Sequence, residues 1–98
     1  MHFIKLKIVG DRTQATQWMA DHKAWLQRGF DDGIFLASGN LQGQAGGGII
    51  ANGLDASTLQ QRLNDDPFVA HGIVEVEIAE LAVSKADARL GFMMDASA

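Results

Sequence analysis

Apolar and polar side chains alternate at the beginning of the chain. Within residues 3–9, isoleucine or leucine occupies every second position, and Lys5 and Lys7 stand between them. A period of two is typical of a strand with one buried face. The same period returns at residues 73–81, where valine and isoleucine alternate with glutamate. The pattern therefore predicts a first and a last strand of similar character.

Two other segments follow a helical period. Between residues 14 and 30 the apolar side chains recur at helical spacing, and Asp11 begins a sequence that resembles a capping box. A second, shorter helix is predicted to start from a cap at Asp55 or Ser57. It is expected to stop before Pro67, because the residue that precedes a proline avoids the helical conformation.

Shorter elements fill the space between these segments. Residues 34–37 form an apolar run that predicts a second strand, and residues 49–51 predict a third. The Gly- and Gln-rich connection at 40–48 is interpreted as a loop or a wide hairpin. Residues 68–71 can form one more helical turn, closed by Gly72.

The resulting order βαββαβ is that of the ferredoxin-like, split βαβ arrangement. It predicts an α+β fold in which a four-stranded antiparallel sheet is covered on one face by two helices. The first and last strands are neighbours in this topology, so Lys5 and Lys7 should lie opposite Glu75 and Glu77 on the face away from the helices. Opposite charges at facing positions favour that pairing.

A chain of 98 residues is long enough for one domain and too short for two. We expect a core at about residues 3–81 and a C-terminal extension at 82–98. The extension is too apolar to remain in water, and we expect it to dock. Its apolar residues are Leu90, Phe92, Met93 and Met94.

Composition excludes several classes of function. The chain has no cysteine, and its net charge of −4 disfavours nucleic acid as a partner. Its apolar runs are too short to span a membrane, and its beginning lacks the pattern of a secretion signal, so a cytoplasmic location is expected. The glycines at 46–48 lack the Lys-Ser/Thr of a phosphate loop, and the three histidines share no ligand spacing. We therefore expect neither a cofactor nor a metal.

His22 is a polar ring within an apolar helical stripe. On a helical projection, Trp18 and Leu26 lie about 40° to either side of it. A buried neutral histidine with both nitrogens satisfied is one interpretation. The other is proton transfer, because the unperturbed pKa of imidazole is about 6.5. Spacing alone leaves both open.

Asp66 and Ser38 are the next candidates. An aspartate directly before Pro67 is typical of an N-cap followed by a proline at the first helical position, and local signals favour that role over a partnership with His22. Ser38 and Gly39 lie where a strand meets a loop, a usual place for binding groups and equally for a simple turn.

With these pieces placed, the chain resembles the YCII family from about residue 3 to residue 81. The resemblance rests on four segments in order, each weak alone: His22–Leu26, Gly33–Gly39, Gly46–Ile50, and Asp66–Phe68 with Gly72. It implies a ferredoxin-like fold of the dimeric α+β barrel type, commonly assembled as a homodimer. That fold agrees with the one derived from periodicity.

The resemblance also implies a site. In the family, the helix histidine and the aspartate before proline form a proposed catalytic His–Asp dyad, which would be His22 and Asp66 here. The Ser-Gly segment lies near them in the pocket. The residues then expected to bind substrate are Ser38, Gly39, Trp25 and Phe68.

The favoured hypothesis is a small-molecule enzyme in which His22 acts as general acid/base and Asp66 orients its ring. The family has been linked to dehydrohalogenation and resembles muconolactone isomerase, which implies elimination or isomerisation of a cyclic or aromatic-derived compound. The alternative is a non-catalytic binding or regulatory module that holds a small molecule in the same cleft. A third hypothesis is an interaction protein in which His22 is purely structural. An acidic chain with an apolar pocket is expected to take an uncharged or weakly charged ligand.

Overall fold

The computed structural model describes residues 1–94. Its elements follow the predicted order, and the C-terminal extension adds a 3₁₀ helix that was not predicted. They are β1 (His2–Ile8), α1 (Arg12–Asp31), β2 (Phe35–Asn40), β3 (Gly46–Ala51), α2 (Ala56–Asn64), α3 (Pro67–Ala70), β4 (Val74–Glu80) and a 3₁₀ helix (Ala88–Met93).

The four strands form one antiparallel sheet in the order β2-β3-β1-β4. The outer neighbour of β1 is β4, as predicted, and Lys5 faces Glu77 while Lys7 faces Glu75. Lys5 Nζ lies 4.0 Å from a carboxylate oxygen of Glu77. The alternation of β1 therefore divides the sheet into an apolar face under the helices and a face that carries charge near β4.

The second and third strands are longer than the sequence pattern predicts. Residues 46–48, interpreted as loop, form the first half of β3 and pair with residues 5–7 of β1. Hydrogen bonding to β1 on one side and β2 on the other outweighs the low strand preference of glycine. At Gly46 the backbone has φ 140° and a Cβ atom would overlap the carbonyl of Leu6, so only glycine fits.

Side-chain caps begin both main helices. The Asp11 carboxylate accepts a hydrogen bond from the backbone N–H of Thr13 at 2.9 Å, and the Asp55 carboxylate accepts one from Thr58 at 2.7 Å. The choice left open between Asp55 and Ser57 is thereby decided in favour of Asp55. Each cap satisfies one of the N–H groups that a helix start leaves unpaired.

The core lies between the helices and the apolar face of the sheet. Its tightest point is the contact of α1 with β2, where the ring of Phe35 occupies the space that a side chain at Gly29 would need. Burial of these side chains is the main favourable contribution to folding. The completely buried apolar residues are Ile4, Leu59, Leu63 and Ile73.

The C-terminal extension docks only in part. Val83 and Met93 are buried, whereas Leu90, Phe92 and Met94 remain exposed. Within residues 82–94, two side chains of the extension are therefore docked against the domain, as predicted. Residues 95–98 lie outside the described part of the chain.

Candidate functional site

His22 and Asp66 meet across the contact of α1 with α3. Nδ1 of His22 lies 2.8 Å from Oδ1 of Asp66, although 44 positions separate the two residues in the chain. A carboxylate accepts hydrogen bonds, so the tautomer that satisfies this contact carries its proton on Nδ1. This tautomer leaves Nε2 as the nitrogen available to a ligand.

Asp66 is held by local structure as well as by His22. It is the N-cap of α3, with Pro67 at the first helical position, and its Oδ1 also accepts the backbone N–H of Phe68 at 3.1 Å. The residue is completely buried, and within residues 1–94 its second oxygen, Oδ2, has no hydrogen-bond partner. One carboxylate oxygen therefore serves both roles that the sequence allowed, the cap and the partner of His22.

Aromatic rings hold the imidazole in place. The ring of Phe68 stacks on that of His22 with centroids 4.1 Å apart and planes 4° from parallel. The His22 side chain keeps 14% of its surface exposed. It thus lies at the edge of the core instead of deep within it, with an orientation set by a hydrogen bond on one edge and a stacked ring on one face.

The exposed part of His22 lines a cleft between α1 and the sheet, with a volume of about 530 Å³. That volume falls in the usual range for small-molecule sites, roughly 300–1,000 Å³. Three further residues singled out from the sequence also line the cleft: Ser38, Gly39 and Phe68.

The strand register shows which polar side chains face the cleft. Ser38 pairs with Ile49 and Asn40 pairs with Gly47, and Ile49 is buried beneath the helices. Facing residues of an antiparallel pair share a side of the sheet, so Ser38 and Asn40 both lie on the cleft side. The sequence pattern did not identify Asn40, because it predicted that β2 ends at residue 37. When the strand extends to residue 40, Ser38 and Asn40 stand at alternate positions and share one face.

Trp25 does not lie where the site prediction placed it. It is not among the residues that line the cleft, and it is 2% exposed. Its indole N–H donates to the carbonyl of Arg62 at 3.0 Å, which ties α1 to α2. Its ring centroid is 5.8 Å from that of His22. Trp25 supports the site from within the core and does not form its ligand surface.

Residues 1–94 contain neither a cluster of metal-binding side chains nor a membrane-spanning helix. Within residues 1–94, no group of three or more His, Asp or Glu side chains is placed to hold a metal ion. No helix in the same range is long and apolar enough to cross a membrane. The expectations of no cofactor, no nucleic-acid partner and a cytoplasmic location stay predictions.

The sheet order, the helices on one face and the cleft between them define an α+β protein with the ferredoxin-like βαββαβ fold. The chain belongs to the YCII-related domain family, whose model matches residues 2–82. The family resemblance inferred from four short segments is therefore confirmed. No curated protein matches the sequence significantly.

Solved structures of other proteins share the fold, among them the following two. Muconolactone isomerase is 20% identical, with a TM-score of 0.70 over 90% of this chain and 95% of that one. The 5-chloro-2-hydroxyhydroquinone dehydrochlorinase TftG from Burkholderia phenoliruptrix AC1100, solved in complex with 2,5-dihydroxybenzoquinone, is 15% identical. Its TM-score is 0.67 over 83% of this chain and 93% of that one. At these identities the comparison establishes the fold; both neighbours are enzymes that act on small molecules.

Proposed function

We propose that the chain is a small-molecule enzyme in which His22 transfers protons within the cleft and Asp66 orients it. The observation that carries this proposal is the 2.8 Å contact between a histidine at the cleft wall and a completely buried carboxylate. A satisfied structural histidine needs no cleft beside it, and here the ring borders about 530 Å³ of open space.

Each residue has a defined part in the proposed chemistry. Nε2 of His22 accepts a proton from a ligand carbon next to a carbonyl, and the electron pair of that C–H bond moves toward the carbonyl oxygen. Asp66 accepts the Nδ1–H bond throughout, which favours the tautomer that is basic at Nε2 and stabilises the imidazolium that forms. The ring of Phe68 stacks on the imidazole of His22 and fixes its orientation.

The intermediate can then react in two ways. If a leaving group lies on the neighbouring carbon, its departure completes an elimination. If the proton returns from His22 to a different carbon, the product is an isomer. The activities named for the two structural neighbours, a dehydrochlorinase and an isomerase, correspond to these two outcomes and support a cyclic or aromatic-derived substrate.

Turnover by variants of the pair tests the proposal. On a substrate found by screening chlorinated hydroquinones and unsaturated lactones, His22→Asn should lower kcat by about 10² to 10⁴ with little change in ligand affinity. His71→Asn is the matched control, because His71 is exposed and stacks on Trp18 outside the cleft. Full activity of His22→Asn would refute the mechanism. Tight binding of ligands without turnover by the unmodified protein would favour the non-catalytic binding module.

A homodimer is part of the proposal. The sheet face away from the helices carries a shallow apolar groove near Phe3, Ala37, Gly48 and Ile50, and Phe3 is 40% exposed on a strand. A second copy that packs its own sheet there would remove this surface from water. Sedimentation should show a dimer that Phe3→Asp converts to monomer; a monomeric unmodified protein would refute it.

A further inference from the structure

The charge of the cleft differs from that of the whole chain. The chain has 12 acidic residues and a net charge of −4, yet no aspartate or glutamate among residues 1–94 lines the cleft. Arg12 and Lys23 do line it. Within residues 1–94, neither forms an ion pair with a carboxylate, whereas Arg62 and Arg89 do. The cleft therefore concentrates positive charge on an acidic protein.

Helix geometry places both cations on the same edge of the cleft. Arg12 and Lys23 are eleven residues apart on α1, which separates them by about 16 Å along the axis but only about 20° around it. His22 lies about 100° further round from Lys23, toward the core. The cations thus form an outer rim, and the imidazole lies deeper in the same cleft.

The other residues that line the cleft form an apolar inner surface and a polar wall. The inner surface is apolar where Leu6, Ile49 and Phe68 contribute, and these side chains are buried. The opposite wall from α1 has hydrogen-bonding side chains at Ser38 and Asn40. An apolar interior with a cationic rim and neutral polar groups suits a flat ring that carries an anionic substituent.

We propose that the ligand of this cleft is a cyclic or aromatic carboxylate, whose ring enters the apolar interior beside His22 while its carboxylate is attracted to the cationic rim that Arg12 and Lys23 form. This assignment rests on the proposed function for the use of the cleft. It differs from the uncharged or weakly charged ligand expected for an acidic chain with an apolar pocket, because a ligand responds to the charges nearest to it more than to the net charge of the chain.

Two ligands of the same shape but different charge test whether the cleft recognises the carboxylate. The probes are 3,4-dihydroxybenzoate and its neutral isostere 3,4-dihydroxybenzamide, with binding measured by isothermal titration calorimetry on the full chain. The carboxylate should bind at least about fivefold more tightly, and this preference should shrink as salt is added. In the Arg12→Gln/Lys23→Gln double variant the two probes should bind equally.

Arg28→Gln is the matched control, since Arg28 lies on the same helix, is exposed and does not line the cleft. It should retain the preference for the carboxylate. Equal binding of the two probes to the unmodified protein, binding of neither, or a preference that survives in the double variant would overturn the assignment. A retained carboxylate preference in a protein that turns over no substrate would support this ligand class while refuting the catalytic role of His22.

Discussion

Oδ1 of Asp66 receives both the ring N–H of His22 and the backbone N–H of Phe68. The atom that caps α3 is therefore the atom that orients the imidazole, and Phe68, the residue whose N–H it accepts, stacks on the same imidazole. The start of α3 and the position of His22 form one structural unit.

Substitutions at Asp66 should separate the cap from the charge. Asp66→Ala leaves two donors unpaired next to the core and should lower the free energy of unfolding by about 2 kcal/mol. Asp66→Asn retains an accepting oxygen, so it should cost less stability while still lowering kcat, because its neutral amide stabilises the imidazolium less. Urea denaturation and turnover measure the two effects. Equal losses of stability in both variants would contradict a shared cap and partner role.

Trp25 and Phe68 should respond differently to substitution. Trp25→Phe removes the hydrogen bond to the Arg62 carbonyl and should lower stability by about 1 kcal/mol with ligand affinity unchanged. Phe68→Leu removes both the stacked ring and part of the cleft wall, so it should weaken ligand binding as well. Denaturation and calorimetric titration would show the difference. A larger affinity loss in Trp25→Phe would place that indole back in the ligand surface.

Gly29→Ala should destabilise the protein although alanine is the better helix former. The helical preference favours alanine by about 1 kcal/mol, but the new methyl group would overlap the ring of Phe35. Forcing that ring to move should cost about 1–3 kcal/mol or more, which outweighs the gain. Denaturation of the double variant Gly29→Ala/Phe35→Leu should show part of the loss recovered. No recovery would mean that the cost lies elsewhere in α1.

The cap at Asp55 predicts a pH dependence of stability. The backbone N–H of Thr58, together with its side chain, holds the pKa of the Asp55 carboxyl below the ordinary aspartate value of about 3.9. A lowered folded-state pKa stabilises the fold above the unfolded pKa, and this contribution is lost as the pH falls through the folded pKa.

The uncharged variant Asp55→Asn also caps but does not titrate, so it provides the comparison. The free energy of unfolding of this variant should be lower than that of the unmodified protein by a constant amount between pH 5 and 7. The difference should shrink below about pH 4. Urea denaturation at pH 3, 5 and 7 measures it. A deficit that stays the same at pH 3 would show that the Asp55 charge contributes nothing.

The fold followed from the sequence because its signals are local and periodic. Alternation in β1 and β4, helical spacing in α1 and the caps at Asp11 and Asp55 each depend on neighbours within a few residues. The pairing of Lys5 with Glu77 then followed from the topology and from opposite charge. The triple glycine was misjudged, since the hydrogen bonds that make it a strand come from β1 and β2, outside the segment.

The sequence by itself determined the fold class, the cap at Asp66 and the unusual position of His22. Only the tertiary structure decided that these two residues touch, because their contact joins positions 44 residues apart and depends on how α3 packs on α1. It also decided that Trp25 faces the core and that Arg12 and Lys23 share a cleft with His22. Composition sums charge over the whole chain, whereas a site depends on which side chains the fold brings within a few ångströms of each other.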